Sequence, residues 1–337
     1  MDAFERVYSA LKGKPVDRLP VFPQIGDHAG IIKGLTYDVM YKDAEAAAQA
    51  HLDAVKLYGF DVVTIQVEPS WPIAEACGAG VTYPPLKCPW ITDYLIQDVE
   101  GIDALEVPDF MATLSTRTMI EGTRILAERA TVPVVAFMTG PLTFALQLMP
   151  YDKLIKMMVK DPDSVHRLVT KSTAIGEAYS KALKEAGATI LMICEHDTQM
   201  MGPRHVYEFS IKYYEPLLNI YDYNMIHMCG RVTAHMKANR DALIALGKID
   251  MINVGHDVNL AEMREVFGDE IGIAGNIDHI GLLPLAGKDE VADSCRTSID
   301  EVGGHQTRRY MLAPGCEITA DTPTENIKAY VDAAKGK

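Results

Sequence analysis

Short apolar and β-branched runs recur along this chain, and each is followed by a longer segment whose hydrophobic residues have helical spacing. The runs lie at 19–23, 61–68, 132–138, 189–195, 224–229, 249–254, 271–276 and 309–313, eight in all. Strands alternating with helices call for a parallel sheet, and eight is the number that closes such a sheet into a barrel. A doubly wound open sheet would show a glycine-rich turn after its first strand. Pro23-Gln24-Ile25-Gly26 is no such turn, and neither a Walker loop nor a dinucleotide fingerprint occurs anywhere. The pattern predicts an α/β chain: a single (β/α)8 TIM barrel, one domain over residues 1–337. A short amphipathic helix over 3–12 leads in, with Phe4, Val7, Tyr8 and Leu11 on one face. After the second strand, residues 69–113 form a loop insertion too long for an ordinary βα connection, and insertions of that size are often lids or binding loops.

The helices carry their own punctuation. One begins at Asp43 and stops at Gly59, and another begins at Asp161-Pro162 and ends at Gly187. An aspartate cap, a proline in the first turn and a glycine past the end are the expected asymmetry. In the second of these, Val165, Leu168, Val169 and Ser172 mark the face that covers a sheet.

Acidic residues outnumber basic ones 46 to 32, for a formal net charge of −14. Such a surface repels phosphate backbones and anionic lipids, which argues against nucleic acid and membranes as partners. No apolar run approaches a membrane span, and the first residues lack a signal peptide's basic-then-apolar layout. Six scattered cysteines without a secretory signal read as reduced thiols, so the expected location is the cytoplasm.

In a barrel of this kind the chemistry sits at the C-terminal strand ends. Those ends carry Glu68, Glu195-His196-Asp197, His227-Met228-Cys229-Gly230, Gly255-His256-Asp257, Asn276-Ile277-Asp278 and Gly315-Cys316-Glu317. Residues two apart on a strand point the same way, so His227 and Cys229 can reach one ion together, and Cys316 lies on a strand that barrel closure returns to the same rim. A thiolate with an imidazole suits Zn²⁺. Spacing alone leaves open the blander pairing of buried thiols with a satisfied histidine. The abundant methionines, Met228 among them, either fill core gaps or line an adaptable pocket for a large ligand.

Ile226-His227-Met228-Cys229-Gly230 together with Leu312-Ala313-Pro314-Gly315-Cys316 resembles the zinc signature of the methylcobamide:coenzyme M methyltransferases, within the uroporphyrinogen decarboxylase superfamily. The resemblance extends over nearly the whole chain. It takes in Leu11-Lys12-Gly13-Lys14-Pro15-Val16-Asp17-Arg18, Gly140-Pro141-Leu142-Thr143, Ala274-Gly275-Asn276 and Thr322-Pro323-Thr324-Glu325-Asn326. It implies a (β/α)8 barrel in which zinc, held by His227, Cys229 and Cys316, activates a small thiol as thiolate. The thiolate then takes a methyl group from the methylcobamide (corrinoid) of a partner protein. Glu195, His196 and Asp257 are the expected catalytic groups at the open side of the metal, and Asn276 and Met228 are expected to help hold the corrinoid. The fourth zinc ligand is left among water, Glu195 and His256.

Two other functions compete. A uroporphyrinogen decarboxylase binds a polycarboxylate through an arginine-bearing N-terminal motif, whereas Phe22-Pro23-Gln24-Ile25-Gly26-Asp27-His28 has no arginine and an added acid. A non-enzymatic corrinoid- or zinc-binding accessory protein would have no use for an open coordination position.

Overall fold

The helices begin and end at their sequence punctuation. In the structure, a computed structural model that describes residues 1–337, Asp43 accepts from the Ala46 N–H at the head of the helix Ala44–Tyr58. Gly59 follows that helix at φ +75°, where a Cβ would be strained. Asp161 caps the helix Pro162–Glu185 through the Ser164 N–H, and Val165, Leu168, Val169 and Ser172 on its inner face are all buried. No helix is long and apolar enough to cross a membrane.

Six strands form one parallel sheet in chain order: β3 (Val135–Thr139), β4 (Ile190–Glu195), β5 (Tyr223–Met228), β6 (Met251–Val254), β7 (Gly272–Ile277) and β8 (Tyr310–Pro314). The two runs at 19–23 and 61–68 complete the ring, each through one parallel bridge: Val21 to Leu312 of β8, and Val63 to Val134 just before β3. Backbone bonds join the seams, from Leu312 N–H to Pro20 O, Phe22 N–H to Leu312 O, Asp61 N–H to Val21 O and Val135 N–H to Val63 O. Eight staves are thus present, but the first two are not extended strands. Pro20 and Pro23 remove donors on either side of Val21. In the second stave Gln66 N–H donates to Thr64 Oγ1 and Val67 N–H to Gln66 Oε1, so side chains replace the ladder. At the seam between them Asp61 Oδ2 accepts the Val21 N–H at 2.8 Å, and a carboxylate stands in for a backbone carbonyl.

Strand alternation sorts the side chains into two cores. Val135, Phe137, Ile190, Met192, Cys194, Met225, Met251, Ala274, Met311 and Ala313 fill the barrel. Leu191, Ile193, Ile226, Met228, Ile252, Val254, Ile273 and Leu312 face the helices in a much larger cluster. The lead-in helix Ala3–Leu11 turns Val7, Ala10 and Leu11 into the barrel core and closes its N-terminal end. Tyr8 of this helix stacks on Tyr223 at the start of β5, and its hydroxyl donates to Thr189 just before β4. The opposite end is left for a site. Residues 69–113 approach it with structure of their own: the helix Ser70–Cys77, an antiparallel pair β1 (Gly80–Thr82) and β2 (Trp90–Asp93), and the helix Val99–Ala104.

Candidate metal centre at the C-terminal rim

Alternation along β5 points Met225, His227 and Cys229 into the barrel and Ile226 and Met228 outward. β6 lies beside β5 with Asn253 opposite His227, and Asn253 is fully buried. Its Nδ2 donates to Ala274 O at 3.1 Å and to Pro314 O at 3.2 Å, which fixes the amide orientation. Oδ1 is left to accept, from Gln24 Nε2 at 2.6 Å and from His227 Nδ1. The His227 proton is therefore on Nδ1, and Nε2 carries the lone pair. That Nε2 is buried and has no hydrogen-bond partner.

The nitrogen lone pair faces sulfur. The ligand atoms of His227, Cys229 and Cys316 all lie within 4.8 Å of one another. A tetrahedral zinc with Zn–S bonds of about 2.3 Å needs ligand atoms about 3.8 Å apart, so a small closure brings the trio to bonding distance. The two thiols influence each other: the nearness of Cys316 pulls Cys229 well below an ordinary thiol, while the same nearness, with burial, pushes Cys316 up. A buried orphan imidazole nitrogen, a tautomer set from behind by an amide, and two converging sulfurs fit a zinc ion.

The groups around this trio divide. His196, just past β4, is within reach of the rim, its ring centroid 6.4 Å from that of His227. Its Nδ1 is 2.8 Å from Glu68 Oε2. Burial works against its charge, yet Glu68 holds the imidazole protonated well above its usual range. Glu195 has the opposite strand parity and points away from the barrel axis. Its carboxylate accepts from Thr143 N–H at 2.9 Å, Thr143 Oγ1 at 2.6 Å, Leu142 N–H at 3.4 Å and the Ser210 hydroxyl. It thereby caps the helix Pro141–Leu148 from inside the protein. A Cβ at Gly140 would lie 2.2 Å from the Glu195 Cδ, so only glycine admits the carboxylate there. Burial nevertheless pushes the Glu195 carboxyl up.

Asp257 is partly exposed, 3.5 Å from Arg231 and 3.9 Å from His256. Asn276 points its amide at Gly255 O and Val258 O and ties down the loop after β6. Met228 is 1% exposed in the helix-facing core. The parity that unites His227 with Cys229 turns Met228 away from the rim, so it is corrected here from a corrinoid contact to a packing residue. His256, Asp278 and His279 form a second group whose ligand atoms lie within 4.8 Å of one another. Burial lowers His279 to about 4, and Asp278 accepts from the Ile280 and Gly281 N–H groups.

Asn253 and Gln24, which orient His227, escaped the sequence reading. A signal was present: a polar amide inside the apolar run 249–254 must find partners once buried.

The family model described as uroporphyrinogen decarboxylase (URO-D) matches residues 2–336. The methylcobamide:CoM methyltransferase MtaA of Methanosarcina barkeri is 26% identical to this chain, over 97% of this chain and 96% of its own length. A uroporphyrinogen decarboxylase of Mannheimia succiniciproducens is 25% identical, over 98% and 96% respectively. Among solved structures, a methyltransferase from Methanosarcina mazei superposes with a TM-score of 0.88 at 23% identity, covering 100% of this chain and 99% of its own. That likeness establishes the fold as the one expected from the eightfold alternation. Identity does not separate the two activities among the relatives, so the side chains at the rim must.

Proposed function

This chain belongs to the uroporphyrinogen decarboxylase family, and from that premise we propose that it is a zinc-dependent methyltransferase acting between a corrinoid protein and a small thiol. The observation that carries the reading is the unpartnered His227 Nε2 facing Cys229 and Cys316, with Asn253 fixing the proton on the far nitrogen. Zinc bound there would lower the pKa of a thiol and present it as a thiolate. Two cysteine ligands make a metal site rich in negative charge, which favours a nucleophilic sulfur over activation of water. The transfer itself balances simply: a sulfur–carbon bond forms, the cobalt–carbon bond breaks with its electron pair left on the corrinoid, and the thiol proton goes to solvent.

The other rim groups take supporting parts. His196, protonated against Glu68, puts a positive charge beside the position where the thiol turns anionic. Glu195 acts as a positioning residue. Its oxygens are occupied by Thr143, Leu142 and Ser210, and the Thr143 hydroxyl in turn accepts the His196 N–H at 2.9 Å. Glu195 thus sets His196 rather than meeting the metal. Asp257, paired with Arg231 at the surface, would be open to contact with the corrinoid protein. Decarboxylation of a polycarboxylate finds no support at this rim, where the stretch 22–28 supplies no arginine and Arg231 is paired with Asp257.

The test is methyl transfer from methylcobalamin to a thiol panel, with zinc content measured in parallel. The wild-type chain is expected to hold about one zinc with Zn–S scattering near 2.3 Å. Cys316→Ser should lose most of the metal and on the order of a hundredfold of the rate. Transfer that is unchanged in Cys316→Ser would overturn the reading.

A further inference from the structure

The rim between the proposed metal ligands and the first two staves is built of acids. Asp27 opens the short helix Asp27–Ile31 directly after the first stave and is only 7% exposed. Its Oδ1 has no hydrogen-bond partner, and its Oδ2 is 3.8 Å from the Cys88 sulfur at the outer edge of the rim. Its backbone N–H donates to Glu317 Oε1 at 3.2 Å, and Glu317 is the residue after Cys316. Gly26 makes this approach feasible: a Cβ there would stand 2.1 Å from Glu317 Oε1. Glu68 completes the group, with His196 as its one ionic partner.

Neither Asp27 nor Glu317 has a lysine, arginine or histidine nitrogen within 4.0 Å. Three carboxylates therefore face a single imidazole. An independent feature points the same way. Tyr41 is fully buried and its hydroxyl has no partner; burial, together with the nearby acids Asp27, Glu317 and Glu68, holds that hydroxyl well above its usual range. Buried carboxylates without cations either take up protons or await a positive ligand. Asp27, raised by burial to about 7, shows the first of these.

We infer that this acid group is the subsite for an ammonium on the acceptor, so that the thiol used is a short aminothiol and not one bearing a sulfonate or carboxylate. The inference rests on the thiol methyltransferase reading above. Glu317 is one Cα step of about 3.8 Å from Cys316, and its Oε1 turns to the Asp27 N–H at 3.2 Å, so a thiol whose sulfur approaches the metal ligands needs only a short chain to bring a second group to this acid pair. An ammonium there would donate its three N–H groups to Asp27 Oδ1, Glu317 and the Tyr41 hydroxyl oxygen, whereas a sulfonate would be set against two acids.

Three thiols with the same two-carbon chain isolate the charge: cysteamine, 2-mercaptoethanol and coenzyme M. Their binding to the zinc-loaded full-length protein is measured by calorimetry, and their methylation by methylcobalamin is followed separately. Cysteamine should bind about tenfold more tightly than 2-mercaptoethanol, with coenzyme M weakest. Asp27→Asn should erase the cysteamine advantage and weaken 2-mercaptoethanol by a far smaller factor. Tyr41→Phe, which removes only the unpartnered hydroxyl, should reduce the same advantage by a smaller factor and serves if Asp27→Asn does not fold. Coenzyme M binding as well as 2-mercaptoethanol, or an advantage insensitive to both variants, would overturn the inference. So would an extra divalent ion bound in an Asp27-dependent way. If cysteamine binds in this Asp27-dependent manner but no thiol is methylated, the methyltransferase reading fails and the subsite stands. If thiols are methylated with the charge order reversed, the subsite fails and the reading stands.

Discussion

The two ends of this barrel treat charge in opposite ways. At the N-terminal end every buried charge is matched. Arg6 donates to Asp17 and to Asp61, and Arg18 donates twice to Asp61 at 2.8 and 2.9 Å. Lys12 reaches Asp250 at 2.7 Å, while the other oxygen of Asp250 accepts the Asn224 N–H. At the C-terminal end Asp27 and Glu317 face each other without a cation, the His227 Nε2 is orphaned and Tyr41 has no partner. The first arrangement joins chain segments and has no free valence. The second leaves buried polar atoms unpartnered at the end of the barrel where sites of this fold lie, which is how a fold separates stability from function.

The contrast can be broken at either end. The largest effect is expected from Asp61→Ala, which leaves Arg18 without an acid, leaves the buried Arg6 with Asp17 alone and frees the Val21 N–H at the seam of the first two staves. Chemical denaturation should show a loss of roughly 3–5 kcal/mol; a loss below about 1 kcal/mol would mean that the seam is held by something else. At the other end, Asn253→Ala removes the group that sets the His227 tautomer. Zinc affinity in a competition titration should drop about 10–100-fold with the barrel still folded.

The sharpest comparison is between two aspartates. Burial lifts Asp27 to about 7, so between about pH 4 and 7 the native chain keeps a proton that the unfolded chain has released. Stability from this group is complete below about pH 4, declines as pH rises to 7 and is flat beyond. Asp27→Asn should therefore match wild type at pH 4 and exceed it by roughly 1–3 kcal/mol at pH 8. A destabilised Asp27→Asn at pH 8 would show that this carboxylate has a cationic partner after all. Asp17 runs the other way, since the hydrogen bond from Arg6 holds it below the usual carboxylate range. Its contribution is present above about pH 4 and is lost as pH falls. Asp17 is half exposed, so Asp17→Asn should change the acid limb of a pH–stability curve only slightly.

Much of this was legible in the chain itself. Periodicity locates all eight staves, and caps such as Asp43 and Asp161 fix helix starts, because both signals are local. His227 and Cys229 could be paired for the same reason, since two residues on one strand share a face whatever the rest of the fold does. Glu195 and Met228 show where local reading ends. Each neighbours a rim residue in sequence, and each is carried to the other face by the period-two rule. Asn253 and Gln24 were harder, because their role exists only when β6 and the first stave are brought beside His227. The reduction of the first two staves to single bridges was hidden too, as it depends on Asp61 supplying an acceptor to Val21.

The seam between Val21 and Leu312 also dictates an order of assembly. Leu312 N–H reaches back to Pro20 O and Phe22 N–H to Leu312 O, so the opening stave is paired to the closing one across almost the entire chain. During synthesis the first stave must wait, with its apolar residues Val21 and Phe22 unpaired on one edge, until the eighth has emerged. Contacts this distant in sequence form slowly, because the loop between them has to be closed first. Cys316 arrives with that same last stave, so the rim that gathers His227, Cys229 and Cys316 comes into being only when the ring shuts. A nascent or truncated chain that ends before β8 keeps an open edge and lacks Cys316, so on the proposed zinc reading metal retention would report on whether synthesis has reached the last stave.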